Sequence, residues 1–280
     1  MWNDDLGTRM KELYEVRSKT SLVRRIPVII RLDGKSFHTF CRRFKKPYDI
    51  FFNQVMRLTM QYLCEKVQGA KFAERHSDEI SILLTDTDSN KTEAFFDYEI
   101  QKICSIVASW ASTALCRKLV DNGRLKDEDW PVFDCRCFNL PENEISNYFW
   151  WRLLDATRNS IQSVAQSKFS HAQLHKKNTK QMQEMLFQEH GINWAHLPQV
   201  QKSGMICTKV SATKKMIMCK NCGRVALKEV GVIDHRETCA DPDVEDFAVN
   251  RKAWETEAAP ATWTELNAMI LDILYKKESK

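Results

Sequence analysis

Two apolar runs that each carry acids at one end constrain this chain more than any other feature. Residues 26–34 read Ile-Pro-Val-Ile-Ile-Arg-Leu-Asp-Gly, and residues 76–83 read His-Ser-Asp-Glu-Ile-Ser-Ile-Leu. Short β-branched runs bounded by Gly, Pro and polar turns read as strands. Each strand therefore delivers a carboxylate at its end, Asp33 in one case and Asp78 in the other. Two carboxylates at adjacent strand ends can hold a divalent cation, and two such cations about 3.5–4 Å apart drive in-line displacement at phosphorus. Magnesium takes one or two carboxylates and fills its shell with water and substrate phosphates, so a thin ligand set suits a nucleotide site. On spacing alone, a pair of strand-end Asp residues that cap turns and bind nothing fits as well.

The elements around these strands predict how they meet. Asp5 to Lys19 has the spacing of an amphipathic helix, with Leu6, Met10, Leu13 and Tyr14 on one face. Lys46-Pro47-Tyr48-Asp49 breaks the chain, and Asp49 is suited to cap a helix that runs to about Val67. Ala70 to Ala73 and Ile80 to Leu84 read as strands joined by a polar turn at Ser77, Asp78 and Glu79. A helix is expected from about Thr92 to Val120, and Val132 to Phe138 alternates as a fourth strand. Glu142 to Ser167 follows as a helix, with Trp150, Leu154 and Ile161 facing inward. The order strand–helix–strand–strand–helix–strand is that of an α+β, ferredoxin-like (split βαβ) domain, which would set Asp33 and Asp78 side by side. Beyond Lys168 come a basic loop, a helix from about Thr179 to His190 and a strand at Met205 to Val210. The expected division is one domain over 1–210 and a second over 211–280, the latter comprising a small module and a C-terminal helix.

The second module is announced by its cysteines. Cys219-x2-Cys222-x12-His235-x3-Cys239 has the spacing of a tetrahedral zinc site, with all four positions filled by protein. Such a closed site is structural and stabilises a module too small to fold on apolar burial alone. The other seven cysteines are scattered and read as small apolar groups. No secretory n-region opens the sequence, and no apolar run approaches membrane-spanning length. The expectation is a cytoplasmic protein without a membrane partner. Charge is concentrated: nine basic residues against the single acid Asp33 between Lys19 and Lys46, and a second basic stretch at Lys168, Lys176, Lys177 and Lys180. Clusters of this kind suit a polyanion such as RNA.

Six segments carry a resemblance in combination. They are Arg31-Leu32-Asp33-Gly34-Lys35-Ser36-Phe37-His38, Lys46-Pro47-Tyr48-Asp49, Ser77-Asp78-Glu79, Phe133-Asp134-x-Arg136, Tyr148-x-x-Trp151-Arg152, and Glu184-x-Leu186-Phe187 with Ile192-Asn193-Trp194. Together, over about Pro27 to Val210, they resemble the tRNA(His) guanylyltransferase family and its bacterial and viral branch of 3′-to-5′ polymerases. The resemblance implies a polymerase-palm-like catalytic domain with long flanking helices. That domain would add nucleotides to the 5′ end of tRNA or a tRNA-like RNA. Asp33, Asp78 and the Gly34 carbonyl would hold two magnesium ions. Arg31, Lys46, Asp49 and Ser77, with Lys35, Ser36, Phe37, His38 and Asn193 from the matching motifs, would contact nucleotide or RNA. GTP and other nucleoside triphosphates would be substrates, with ATP for activation, and the resemblance suggests a homotetramer. Glu79 would point to the face opposite Asp78 and is not assigned to metal.

Three departures from the family pattern stand out. Thr157-Arg158-Asn159 occupies the place of its His-Ile-Asn run, Met182 stands where a lysine is expected, and Thr92 to Asp97, with two acids, stands where eukaryotic members carry a basic cluster. Together they favour templated 5′-end repair over guanosine addition to tRNA(His). A nucleotidyl cyclase of the same topology and a non-catalytic, zinc-containing RNA-binding protein are the alternatives. The basic clusters argue against the cyclase. Tolerance of changes at Asp33 and Asp78 would mark the binding protein.

Overall fold

The computed structural model describes residues 5–125, 130–219, 225–227 and 244–275. The anticipated strands form β1 (Val28–Gly34), β2 (Ala70–His76), β3 (Glu79–Leu84) and β4 (Phe133–Asn139). They lie in the order β4-β1-β3-β2, every neighbouring pair antiparallel. A further strand, β5 (Met205–Cys219), extends the sheet beyond β2, pairing Arg75 with Met205 and Phe72 with Thr208. The fold is thus a mixed one of helices and an antiparallel sheet. Val28, Ile29, Ile30 and Leu32 are fully buried, because helices cover β1 on both faces. Leu32 pairs with Ile80, so Asp33 and Gly34 run on past the start of β3 toward the turn that carries Asp78.

The helices are α1 (Asp5–Met10), α2 (Phe37–Phe40), α3 (Ile50–Lys66), α4 (Ile100–Asp121), α5 (Ile145–Gln166), α6 (His171–Leu174), α7 (Thr179–His190), α8 (Gln199–Ser203) and α9 (Trp263–Tyr275). The Asp49 side chain caps α3 by accepting from the Phe52 amide at 2.8 Å. Phe52, Val55, Met56, Thr59, Met60 and Leu63 form its buried stripe. In α4 the stripe is Ile103, Val107, Ala111, Leu115 and Leu119, one residue per turn and all fully buried. By length and composition α4 could cross a bilayer, but this stripe packs into the protein core. In α7, a capping box of Asn178 and Gln181 and a left-handed Gly191 (φ 64°) set the two ends.

Four expectations are corrected. The helix foreseen from Thr92 begins only at Ile100, because Phe96, Asp97 and Tyr98 all adopt positive φ and break the preceding turn. Leu154 is 51% exposed; Phe149, Leu153 and Ala156 carry the inward face of α5 instead. The single helix expected over 5–19 becomes α1 followed by a π-type turn at Lys11–Glu15 and a 3-10 turn at Val16–Ser18. Leu6, Met10, Leu13 and Tyr14 are all exposed there.

The fourth concerns the domains. The compact units are Met1–Thr208 with Thr256–Lys280, and Lys209–Glu255. The C-terminal helix therefore belongs to the first unit, not to the second. Leu266 and Ile270 of α9 lie fully buried in one cluster with Ile29, Phe72, Leu83, Phe149 and Leu153. Within the second unit, β5 pairs with β6 (Val225–Leu227), Ile217 opposite Ala226. The strand β7 (Val244–Ala258) also pairs with β5. Cys219 is the last residue of β5, and Cys222, His235 and Cys239 lie outside the described residues.

Ile270→Ala should destabilise the protein by about 2–5 kcal/mol, as for other fully buried large-to-small changes. Urea unfolding measures it; a loss below about 1 kcal/mol would show that α9 is not part of this core.

Candidate active site

The β2–β3 hairpin turns on Ser77 and Asp78. Ser77 adopts a left-handed φ of 49°, and its hydroxyl donates to Asp78 Oδ1 at 2.8 Å. This turn is braced from below by a buried arginine that the sequence reading did not single out. Arg75 is 1% exposed and donates to the Ser77 carbonyl (3.2 Å) and to Asn53 Oδ1 of α3 (2.9 Å). Asn53 in turn donates to the Asp49 carbonyl at 2.9 Å. A continuous chain of hydrogen bonds thus joins the Lys46–Asp49 loop to the Asp78 turn. Burial lowers the Arg75 pKa to about 10.

Carboxylates crowd the end of the sheet. Burial, followed by the charges of Asp78, Glu79 and Asp134, raises the Asp33 pKa above its ordinary value, with Arg31 opposing. Asp134 is the cross-strand partner of Asp33. Burial also raises Asp78, while the Ser77 hydroxyl and its own backbone amide pull it back. Negative charge at Asp33 and Asp78 is therefore under-compensated, which is the condition a divalent cation relieves. A side chain at Gly34 would collide with the Phe37 ring, so this position requires glycine.

Glu79 is employed differently. It accepts from Arg31 at 2.8 Å and lies 3.2 Å from Arg152 Nη2 of α5. Arg152, 2% exposed, also reaches Asp155 at 2.6 Å, and Arg158 closes on the same carboxylate. His76, also buried, sits between Glu74 (3.0 Å) and Glu79 (3.6 Å). Burial opposes a charge on His76, but the two glutamates outweigh it and raise the imidazole above its ordinary value. His76, Glu79 and Asp155 bring their ligand atoms within 4.8 Å of one another. The Arg152 guanidinium already supplies positive charge between the two carboxylates, so the cluster is an ion-pair network.

The other predicted residues divide into two groups. Lys46, Asp49 and Ser77 line one cleft with Lys45, Arg75 and Asn159; Ser77 and Asp78 line a second with Glu79, Asn159 and Ser163. Asp49 is engaged locally, its carboxylate also accepting from the Lys45 amide at 3.0 Å. Lys35, Ser36 and His38 are exposed beside Gly34. Phe37 is corrected: at 2% exposed, between the rings of Phe40, Phe52 and Phe133, it is a packing residue. Asn193 is outside both clefts and caps its own turn by accepting from the Ala195 amide at 3.0 Å. Arg152 and Asp155, three apart on one helix face, were legible as a pair, but their partner Glu79 is distant in sequence.

Comparison with known proteins bears on this site. A model described as tRNAHis guanylyltransferase (Thg1) matches residues 7–141. An uncharacterised protein of Acanthamoeba polyphaga mimivirus is 30% identical over 74% of this chain and 78% of its own length. The tRNA(His) guanylyltransferase of Saccharomyces cerevisiae is 27% identical over 65% of this chain and 82% of its own. Among solved structures, a bacterial tRNA(His) guanylyltransferase (Thg1)-like protein in complex with GTP aligns with a TM-score of 0.73. It is 30% identical, covering 97% of this chain and 100% of that one. A second, in complex with ATP, aligns with a TM-score of 0.70 at 40% identity, over 74% of this chain and 87% of that one.

Arg152→Met should cost about 3–5 kcal/mol, because it leaves Glu79 and Asp155 without their shared buried cation. Thermal or urea unfolding tests this, and a change within about 0.5 kcal/mol would show the network to be dispensable.

Proposed function

We infer the activity from a plain premise: the chain belongs to the tRNA(His) guanylyltransferase (Thg1) family, matching solved members at 30% and 40% identity. It is a nucleotidyltransferase that adds nucleotides to tRNA in the 3′-to-5′ direction, with GTP and ATP among its substrates. The observation that carries this reading is the under-compensated pair Asp33 and Asp78 at adjoining strand ends, beside a cleft lined by Lys45 and Lys46. The β4-β1-β3-β2 order supports a split βαβ, palm-like catalytic domain.

The donor set fits magnesium: two carboxylates and the Gly34 carbonyl, with the rest of the shell left to water and phosphate oxygens. Magnesium held there by Asp33, Asp78 and the Gly34 carbonyl would supply the positive charge that polarises the phosphate and activates the 3′-hydroxyl of the incoming nucleotide. Asp33 and Asp78 hold that charge at the end of β1 and on the hairpin turn. Lys45 and Lys46 meet phosphate oxygens, and Arg75 keeps the Ser77–Asp78 turn in place. Arg31 is already paired with Glu79 and orients that carboxylate. Lys168, Lys176, Lys177 and Lys180 supply positive charge for the RNA backbone. Thr157-Arg158-Asn159 favours templated repair of the 5′ end. The exposed Leu6, Met10, Leu13 and Tyr14 support assembly into a homo-oligomer.

A tRNA lacking one 5′ residue, incubated with magnesium and all four nucleoside triphosphates, should grow by the residue complementary to the opposing strand. Guanosine added regardless of template would point to the tRNA(His) reaction. No product from either a 5′-triphosphate or a 5′-monophosphate with ATP would defeat the assignment. Asp33→Asn and Asp78→Asn should each lower the rate by roughly 10²-fold or more while leaving RNA binding intact. A carboxylate whose folded pKa is raised destabilises the fold at pH values above it, and the penalty disappears as pH falls and the group protonates. Both variants should therefore melt higher than the parent in EDTA at pH 7. A lower Tm would contradict the electrostatic account.

Cys219, Cys222, His235 and Cys239 are assigned one structural zinc on their spacing. Elemental analysis should return one zinc per chain, and Cys222→Ser should remove it. A zinc-free, fully folded protein would refute this.

A further inference from the structure

Three cysteines outside the catalytic site converge between α4 and β4. Cys135 and Cys137 are two residues apart on β4 and so share a face. Their β1 partners are Leu32 and Ile30, which puts the thiols on the side opposite Asp134 and Arg136. Cys104 comes down from α4, its Sγ 3.7 Å from Cys137 Sγ. Cys137 also donates to the Ile100 carbonyl at 4.0 Å. Cys104 and Cys135 are half-buried and Cys137 is buried, so a small reagent reaches the cluster through Cys104 or Cys135. All three thiols are free.

We propose that Cys104, Cys135 and Cys137 form a thiol–disulfide exchange site, with Cys104 as the attacking thiol and Cys137 as the resolving one. The reacting partner is a low-molecular-weight disulfide. The Cys104 thiolate attacks one sulfur of glutathione disulfide, forming a Cys104–glutathione bond and releasing one glutathione thiolate. Cys137 then loses its proton and attacks the Cys104 sulfur, releasing the second glutathione. Two protein thiols are oxidised by two electrons in all, and one glutathione disulfide is reduced to two glutathiones. Closing the bond brings the sulfurs from 3.7 Å to about 2.05 Å. This staples α4 to the strand beside β1.

Electrostatics support the assignment of roles. Hydrogen bonding from Cys135, against the cost of burial and with help from Cys137, lowers the Cys104 pKa to about 6. Burial, followed by the Cys104 charge, pushes the Cys137 thiol up to about 12. An attacking thiol of low pKa with a protonated partner in reach is the arrangement expected of a redox-responsive cysteine. The half-buried Cys41 is also pushed up to about 12, by burial first, and serves as an internal control.

Full-length protein treated with glutathione disulfide at pH 7.5, quenched with N-ethylmaleimide and mapped by mass spectrometry, tests the proposal. The expected product is a Cys104–Cys137 disulfide that dithiothreitol reverses. The C135S/C137S variant should stop at glutathione on Cys104, and C104S should lose both products. Iodoacetamide at pH 7 should label Cys104 roughly tenfold faster than Cys41. Cys104 left reduced while other thiols react would overturn the proposal. So would glutathione persisting on Cys104 in the parent. The mapping in the parent decides the matter even where a variant fails to fold.

Discussion

The half-buried carboxylate of Glu79, shared between Arg31 on β1 and Arg152 on α5, is the contact on which the rest of the site depends. It joins the central strand, its neighbour and the long covering helix at the level where the sheet gives way to the catalytic end. A largely desolvated ion-pair network of this kind contributes little net stability, since the desolvation of its charges offsets most of the attraction. Its value lies in discrimination. Sliding β3 by one residue against β1 would turn Glu79 to the other face, taking the carboxylate from Arg31 and leaving Arg152 with Asp155 alone. The pair therefore fixes the register that carries Asp33 past the start of β3 and up to the Asp78 turn.

The turn itself is held by neutral contacts. Arg75 reaches the Ser77 carbonyl and Asn53, and Asn53 reaches the backbone of Asp49, the residue that caps α3. The cap is thus more than a helix terminator: it ties the start of α3, the lysine-bearing loop before it and the metal-side hairpin into one body. Arg75 makes these hydrogen bonds to neutral acceptors, while the charges of Glu74 and Asp78 act on it from nearby. Phosphate oxygens entering the cleft would meet the positive charge of Lys45 and Lys46.

Local signals made much of this legible in the sequence. The β-branched run before Asp33, the cap at Asp49, the stripe of α3 and the capping box of α7 are each decided within a few residues, where propensity and periodicity act. What escaped is decided elsewhere. The late start of α4 follows from three successive positive-φ residues, which no single side chain among Phe96, Asp97 and Tyr98 announces. Phe37 stands in a motif of exposed polar neighbours, yet its ring fills space between residues far away in the chain. The place of α9 in the first unit rests on Leu266 and Ile270 meeting Ile29 and Phe149, a long-range choice invisible to any window of sequence. The Glu79 network is likewise spread over β1, β3 and α5.

The same geography explains how the chain tolerates an unfavourable site. Asp33 and Asp78 lose solvation, and Asp33 is further repelled by Asp78, Glu79 and Asp134, so the charge of the site opposes folding. Relief by pairing would require cations of the protein's own at the strand ends, and these would close the position that substrate and metal must fill. Arg31 stops two residues short of Asp33, turned onto Glu79, and Arg136 is paired with Asp134. The stabilising contribution comes instead from below. Val28, Ile29, Ile30, Leu32, Phe72, Ala73, Ile80, Ile82 and Leu83 are buried without remainder, and each large member contributes about 1.5–3 kcal/mol. A strand apolar for most of its length and acidic only at its tip is the simplest sequence that meets both demands. Strain of charge can be concentrated at the tip because the body of the strand is committed to the core.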